Sequence, residues 1–256
     1  MQALRQSASC RSGALRTGAG LSRRFNTVQA RLITDPKSNA SFPLAQRFWE
    51  GEEMHCLGSG TRVKKVLVVG VQVYSIAVYA EGERAAKELG IRARGGFFEG
   101  DGDYCAALLD GAFGKAVVFK LLRDISGQQF AEAIDEALGP RMKLTGEGGA
   151  LADFSAFFST RQLPKDTQIA LVWPLAPPGH DVQLQGLVVP PGAGVDLETT
   201  APQLRISSPG LARALFELYL GDGSIVPEGR AEWARGARAL LESDEVKRAT
   251  RKGGSG

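Results

Sequence analysis

Cysteine and histidine are scarce in this chain. Of 256 residues only three are cysteine (Cys10, Cys56 and Cys105) and two are histidine (His55 and His180). Three cysteines cannot build a disulfide framework, which points to a reducing compartment. Two histidines exclude His-rich metal chemistry. Long apolar runs are missing as well: nothing approaches the roughly 20 residues needed to cross a bilayer, and the stretch Val66–Val71 already contains Gly70. No transmembrane segment is expected. Acids are absent from Met1 to Thr34, where five of the first 24 residues are arginine.

Charge is therefore distributed unevenly. The formal net charge is +3, but residues 1–40 hold six Arg and one Lys against Asp35 alone, a net of +6. The other 216 residues carry 24 basic and 27 acidic side chains, a net of −3. A sequence pI of about 8.8 thus describes the leader, and no nucleic-acid partner is implied. At 43% hydrophobic and 23% charged, the remainder has ordinary globular composition. The Arg-rich, Ser-bearing, acid-poor start reads as an organelle transit peptide, since no apolar core of a secretory signal follows the charges. Arg23-Arg24-Phe25 resembles the end of mitochondrial presequences and places cleavage near Phe25. The mitochondrion is the expected destination, with the plastid as the alternative. Residues 1–40 are set aside from the fold, 41–245 are assigned to one domain, and the basic, Gly-rich 246–256 to a disordered tail.

Within the body, Gly58-Ser59-Gly60 reads as a turn. Arg62–Val69 and Val71–Ala80 read as antiparallel strands joined at Gly70, apolar enough to be covered on both faces. Short helices are expected over Glu81–Leu89 and Tyr104–Leu109, and a strand over Lys115–Leu122. Ser126 with Gln129 forms a capping box that opens a helix striped by Phe130, Ile134 and Leu138 and closed at Gly139-Pro140. A helix over Ala150–Phe158 follows. A hairpin joins Thr167–Trp173 to Val182–Val189 across the turn that holds His180. A short strand, Leu204–Ile206, leads to Ser208 as N-cap and Pro209 as first residue of a helix through Tyr219. Pro227 starts a last helix through about Leu241. No repeat or interdomain linker interrupts this order, so a single α+β domain is expected.

Three blocks in order carry a family resemblance. Gly58-Ser59-Gly60-Thr61-Arg62 with Val69 through Tyr79 is similar to the signature hairpin of chalcone isomerases. Ser126-Gly127-Gln128-Gln129-Phe130 and Ile206-Ser207-Ser208-Pro209 through Gly221 resemble two of that family's helix openings. The resemblance implies an open-faced β-sandwich, an antiparallel sheet backed by a layer of helices. Catalytic members place a Thr twelve residues after the hairpin Arg, then a Tyr, an Asn seven residues on, and a Ser or Thr in the late helix. Here Arg62 is kept, but the corresponding positions are Tyr74, Phe130, Ala137 and Leu218.

Isomerisation needs a phenolate nucleophile and donors aimed at a developing enolate oxygen, and losing one such donor costs about 2.7–4 kcal/mol. The resemblance therefore favours the family's non-catalytic fatty-acid-binding branch, where an Arg and a Tyr clamp a carboxylate. A guanidinium fork fits two carboxylate oxygens and a phenol adds a third donor. Phe130, Ala137 and Leu218 would border the acyl tail. No cofactor is expected, and the oligomeric state is left open. Two alternatives stand beside this reading: an isomerase with an altered substrate, and a haem-binding mitochondrial protein using His55.

Overall fold

The computed structural model describes residues 31–49, 51–66, 68–175 and 183–253. Its centre is a seven-stranded sheet in which every pairing is antiparallel. In spatial order it contains β11 (Leu204–Ile206), β10 (Leu184–Val189), β9 (Gln168–Trp173), β6 (Lys115–Leu121), β5 (Val69–Glu81), β4 (Glu53–Val66) and β3 (Ala45–Arg47). Two small pairs accompany it, β1 (Leu32–Thr34) with β2 (Ser41–Pro43) and β7 (Ile125–Ser126) with β8 (Gln162–Leu163). The helices are α1 (Gly82–Arg94), α2 (Asp101–Asp110), α3 (Gly127–Leu144), α4 (Gly148–Ser159), α5 (Pro209–Leu220) and α6 (Pro227–Gly253). This is the α+β, chalcone-isomerase-like architecture expected, with a helical layer on one face of the sheet.

Strand alternation explains why both faces are covered. Tyr74, Ile76 and Val78 of β5 and Val117 and Phe119 of β6 point into the main core under the helices. Ala77, Tyr79, Ala116 and Val118 point the other way, into a second cluster closed by Phe42, Phe48 and Met54. Side chains two apart on a strand share a face, so one apolar run feeds two cores.

Several boundaries differ from expectation. Gly58-Ser59-Gly60 is not a turn but the interior of β4, and its glycines serve helix contact. A Cβ at Gly60 would lie 2.6 Å from the Cα of Gly229 in α6. One at Gly236 would run into the carbonyl oxygen of Leu57. Gly58 sits at a register shift in β4 with φ +139°, a conformation that favours glycine. Between these contacts the fully buried Trp233 donates its indole N–H to the Gly58 carbonyl at 3.1 Å. Gly70 is likewise in a strand, β5, opposite Lys65 of β4, and the hairpin reverses before it.

The helix opened by Ser126 does not close at Gly139-Pro140 but continues to Leu144. Pro140 removes only the bond to the carbonyl of Glu136, and both residues are exposed, so water supplies the missing partner. The boundary at residue 40 also moves, because β1 pairs with β2 (Ile33 opposite Phe42) and Asp35 is buried. Its Oδ1 accepts from Thr61 Oγ1 of β4 at 2.7 Å and from the backbone N–H of Ser38 at 2.9 Å. At the other end α6 runs to Gly253, well beyond Leu241 and through most of the expected tail. After Gly236 no Gly or Pro occurs before Gly253, and the intervening Arg, Leu, Glu, Lys and Ala are good helix formers. The expected leader before residue 31, and the turn with His180, lie outside the described residues.

Gly236→Ala is expected to destabilise the fold by about 1–3 kcal/mol, because backbone on both sides of the contact must move. Gly139→Ala, where an added Cβ meets nothing within 4 Å, should stabilise by about 0.5–1 kcal/mol. Thermal unfolding of the two variants tests this; equal midpoints would refute the tight α6–β4 contact.

Candidate functional site

Arg62 and Tyr74 are direct cross-strand partners in β4 and β5. Opposed residues of an antiparallel pair project to the same face, and Tyr74 belongs to the core beneath the helices. The two residues singled out in the hairpin are thus brought together. Arg62 is half-buried, and its Nη1 donates to the carbonyl of Ile225 at 2.8 Å, in the connection between α5 and α6. Ile225 returns its own N–H to the Leu218 carbonyl at 3.0 Å, so α5 fixes the acceptor. Among the described residues no carboxylate forms an ion pair with Arg62.

Tyr74 finds its partner in Tyr219 of α5, with the two hydroxyls 3.1 Å apart and both rings buried. Burial pushes both phenols above the ordinary tyrosine range, most strongly for Tyr219, and the nearby Arg62 charge works against that rise. Each hydroxyl carries one proton, and the mutual bond consumes one of the two. Tyr219 was not singled out from the sequence. The available signal was a lone hydroxyl on the apolar stripe Leu211, Leu215, Tyr219, one residue past Leu218.

Aromatic rings fill the space beyond the hydroxyls. Phe119 lies edge-on to Tyr74 with centroids 5.2 Å apart, and Phe130 packs 6.3 Å from Phe119 and 4.7 Å from Phe158. Phe130 therefore lies in the aromatic cluster that adjoins this candidate site. Leu218 is half-buried and joins it mainly through its backbone. Ala137 does not: it is exposed on α3, because the buried stripe passes through Ile134, Leu138 and Met142 instead. A groove of about 1120 Å³ lies elsewhere, lined by Phe48, Trp49, Val172 and Arg205, and includes none of these residues. Its floor is the second cluster's side of the sheet, opposite the face that carries Tyr74.

His55 sits seven positions before Arg62, about 23 Å along the strand. Its ring lies where a side chain on Gly82 would be, and Nε2 is 3.9 Å from Glu53 Oε1. The neighbouring Cys56 thiol is pushed up to about 11 by burial. Neither group faces the Arg62–Tyr74 pair.

Lys115 is the other unusual ionisable group. It is buried at the start of β6, donates to the carbonyls of Leu109 and Gly111 at 2.8 and 3.0 Å, and lies over the Phe113 and Trp173 rings. Burial draws its amine down from 10.5 to about 8, opposed by the Glu88 and Asp110 charges.

Comparison with known proteins gives one kind of likeness. No family model and no curated protein matches the chain. Solved structures do: the sheet and its helical layer define a chalcone-isomerase-like fold. A crystal structure sharing it is the Arabidopsis thaliana fatty-acid binding protein AtFAP1, with a TM-score of 0.64 and 21% identity over 82% of this chain and 99% of that one. At that identity the likeness is one of fold.

Replacing either tyrosine by Phe strands a buried hydroxyl at a cost of about 1–3 kcal/mol, whereas the double replacement Tyr74→Phe/Tyr219→Phe should cost less than the two single changes together. Urea denaturation of the four proteins measures this coupling; strict additivity would show that the pair is not an energetic unit. The Lys115 amine gives a pH signature. Between about pH 8 and 10.5 the unfolded chain binds more protons than the folded one, so the burial penalty fades and stability rises with pH. Lys115→Met should flatten that rise in thermal unfolding across the window; parallel curves would show that Lys115 titrates normally.

Proposed function

We propose that the protein binds a fatty acid or comparable apolar carboxylate without turning it over. The observation that carries this reading is the state of Arg62. It is a half-buried guanidinium that spends one N–H on a backbone carbonyl and faces no described acid, beside a tyrosine pair with a proton to spare. A buried cation is stable when its charge is balanced and its donors are filled. A carboxylate meets both requirements, accepting from the guanidinium fork and from a phenol.

The tail would lie between the sheet and helices α3, α4 and α5, among Phe119, Phe130, Phe158 and Leu218. These rings pack on one another in this structure, so an entering chain exchanges ring–ring contacts for ring–methylene contacts as the side chains turn. Each methylene removed from water contributes about 0.8 kcal/mol. The fatty-acid-binding description of the Arabidopsis protein, on the same fold, supports this reading.

Catalysis by a phenolate is disfavoured by the same features. Burial holds Tyr74 and Tyr219 in their neutral forms, the opposite of what a phenol nucleophile needs.

Solvent extraction of the purified protein followed by mass spectrometry is expected to release acyl carboxylates from wild type and little or none from Arg62→Ala. Arg62→Lys, which keeps the charge but loses the fork, should fall between them. Absence of stoichiometric lipid in wild type, after incubation with oleate, would refute the proposal.

A further inference from the structure

The tip of the β4–β5 hairpin leaves the body of the sheet. The last β5 residue with a partner in β6 is Tyr74, and from Val63 and Gln72 outward the two strands pair only with each other. On this overhang Val68 is 98% exposed and Val69 61% exposed, an unusual concentration of free apolar surface for a strand reversal. Lys64 and Lys65 flank them, both exposed and without an ion-pair partner among the described acids. The loops that end β6 and precede β9 lie at the same end of the sheet, because Leu121 is opposite Tyr74 and Gln168 opposite Lys120. They add the exposed cations Arg123 and Lys165 against Asp124 and Asp166. This end is therefore net positive on a body that is net negative as a whole.

We infer that this tip docks on an anionic lipid surface, with Val68 and Val69 entering the interfacial region and Lys64 and Lys65 facing headgroup phosphates. Apolar side chains at a hairpin tip, with two lysines behind them on β4, match the two layers a bilayer presents in succession. A protein partner fits less well. A two-stranded tip is narrow and convex, and it offers far less than the roughly 800 Å² per side of a stable protein interface. The docked orientation has a consequence for the site. Arg62 lies two residues from Lys64 on β4, about 7 Å along the strand, so the tip would carry the carboxylate end of the site to the headgroup level. That consequence rests on the ligand reading above; the docking itself does not, since it needs no bound acyl chain.

The test is co-sedimentation of the full chain with vesicles of phosphatidylcholine alone and of phosphatidylcholine mixed with phosphatidylglycerol. Wild type is expected to sediment with the anionic vesicles only, and less so as salt is raised. Val68→Asp/Val69→Asp and Lys64→Glu/Lys65→Glu should each weaken this by roughly tenfold or more. All four positions are exposed, and unchanged circular dichroism and unfolding midpoints would certify the variants as folded. Arg62→Ala, which removes the ligand clamp, is expected to sediment like wild type, so failure of one reading is distinguishable from failure of the other. The docking is overturned if wild type stays in solution with anionic vesicles, if neutral vesicles bind it equally, or if folded tip variants sediment unchanged. It is also overturned if Arg62→Ala abolishes sedimentation, or if the tip instead mediates a dimer in size-exclusion chromatography that Val68→Asp/Val69→Asp dissolves.

Discussion

The close approach of α6 to β4 is the constraint on which the rest of the molecule depends. A helix normally keeps 8–10 Å between axes when it packs on another helix through ordinary side chains; here glycine meets glycine, Gly229 over Gly60, and Gly236 lies against the Leu57 carbonyl. Backbone can come this near only where Cβ is absent. The buried Trp233 then fills the wedge beside the contact and ties the helix to the strand through the Gly58 carbonyl. Because Val226 also packs on Gly60, the chain entering α6 is held against the strand, and with it the carbonyl of Ile225 that orients Arg62. A helix displaced by the thickness of one methyl group would withdraw that acceptor.

The site built on this frame is electrostatically unfinished. Arg62 lowers the cost of any negative charge near Tyr74 and Tyr219, yet burial outweighs it and both phenols remain protonated. Positive charge is thus offered by a group that cannot release its proton, beside donors that do not ionise. This pairing of a fixed positive charge with neutral hydroxyl donors is what the proposed anion binding rests on. Lys115 makes a useful contrast. It too is buried, but backbone carbonyls and two aromatic rings already fill its surroundings, and burial draws its amine down towards the neutral form.

Much of the fold was legible in the sequence wherever local chemistry decided it. The Ser126–Gln129 box and the Ser208 cap are both made as expected, with each serine hydroxyl accepting a backbone N–H. The β9–β10 pairing also follows from its apolar runs. The errors occur where a residue answers to a distant element. Gly58 and Gly60 look like a turn because nothing nearby in sequence reveals that a helix some 170 residues later will lie on them. Asp35 looks like part of a basic leader because its partner Thr61 is 26 positions away. At the site, Arg62 opposite Tyr74 was suggested by a family pattern, while their shared face came from the register, which a bulge between Arg62 and Val63 makes unreadable by parity. Ala137 illustrates the limit of carrying positions across a family: the same offset on α3 falls on the solvent side.

The small network around Asp35 fastens the turn between β1 and β2 to the main sheet. Thr61 and Ser75 are buried hydroxyls on adjacent strands, and they share their hydrogen bonds with each other and with the Asp35–Ser38 turn. Truncation past Asp35 would remove β1, which pairs with β2, and leave the buried Thr61 hydroxyl without its carboxylate acceptor. A carboxylate with four donors around it thus clasps the segment ahead of β4 to the sheet, and loss of that one charge would free the segment from the body.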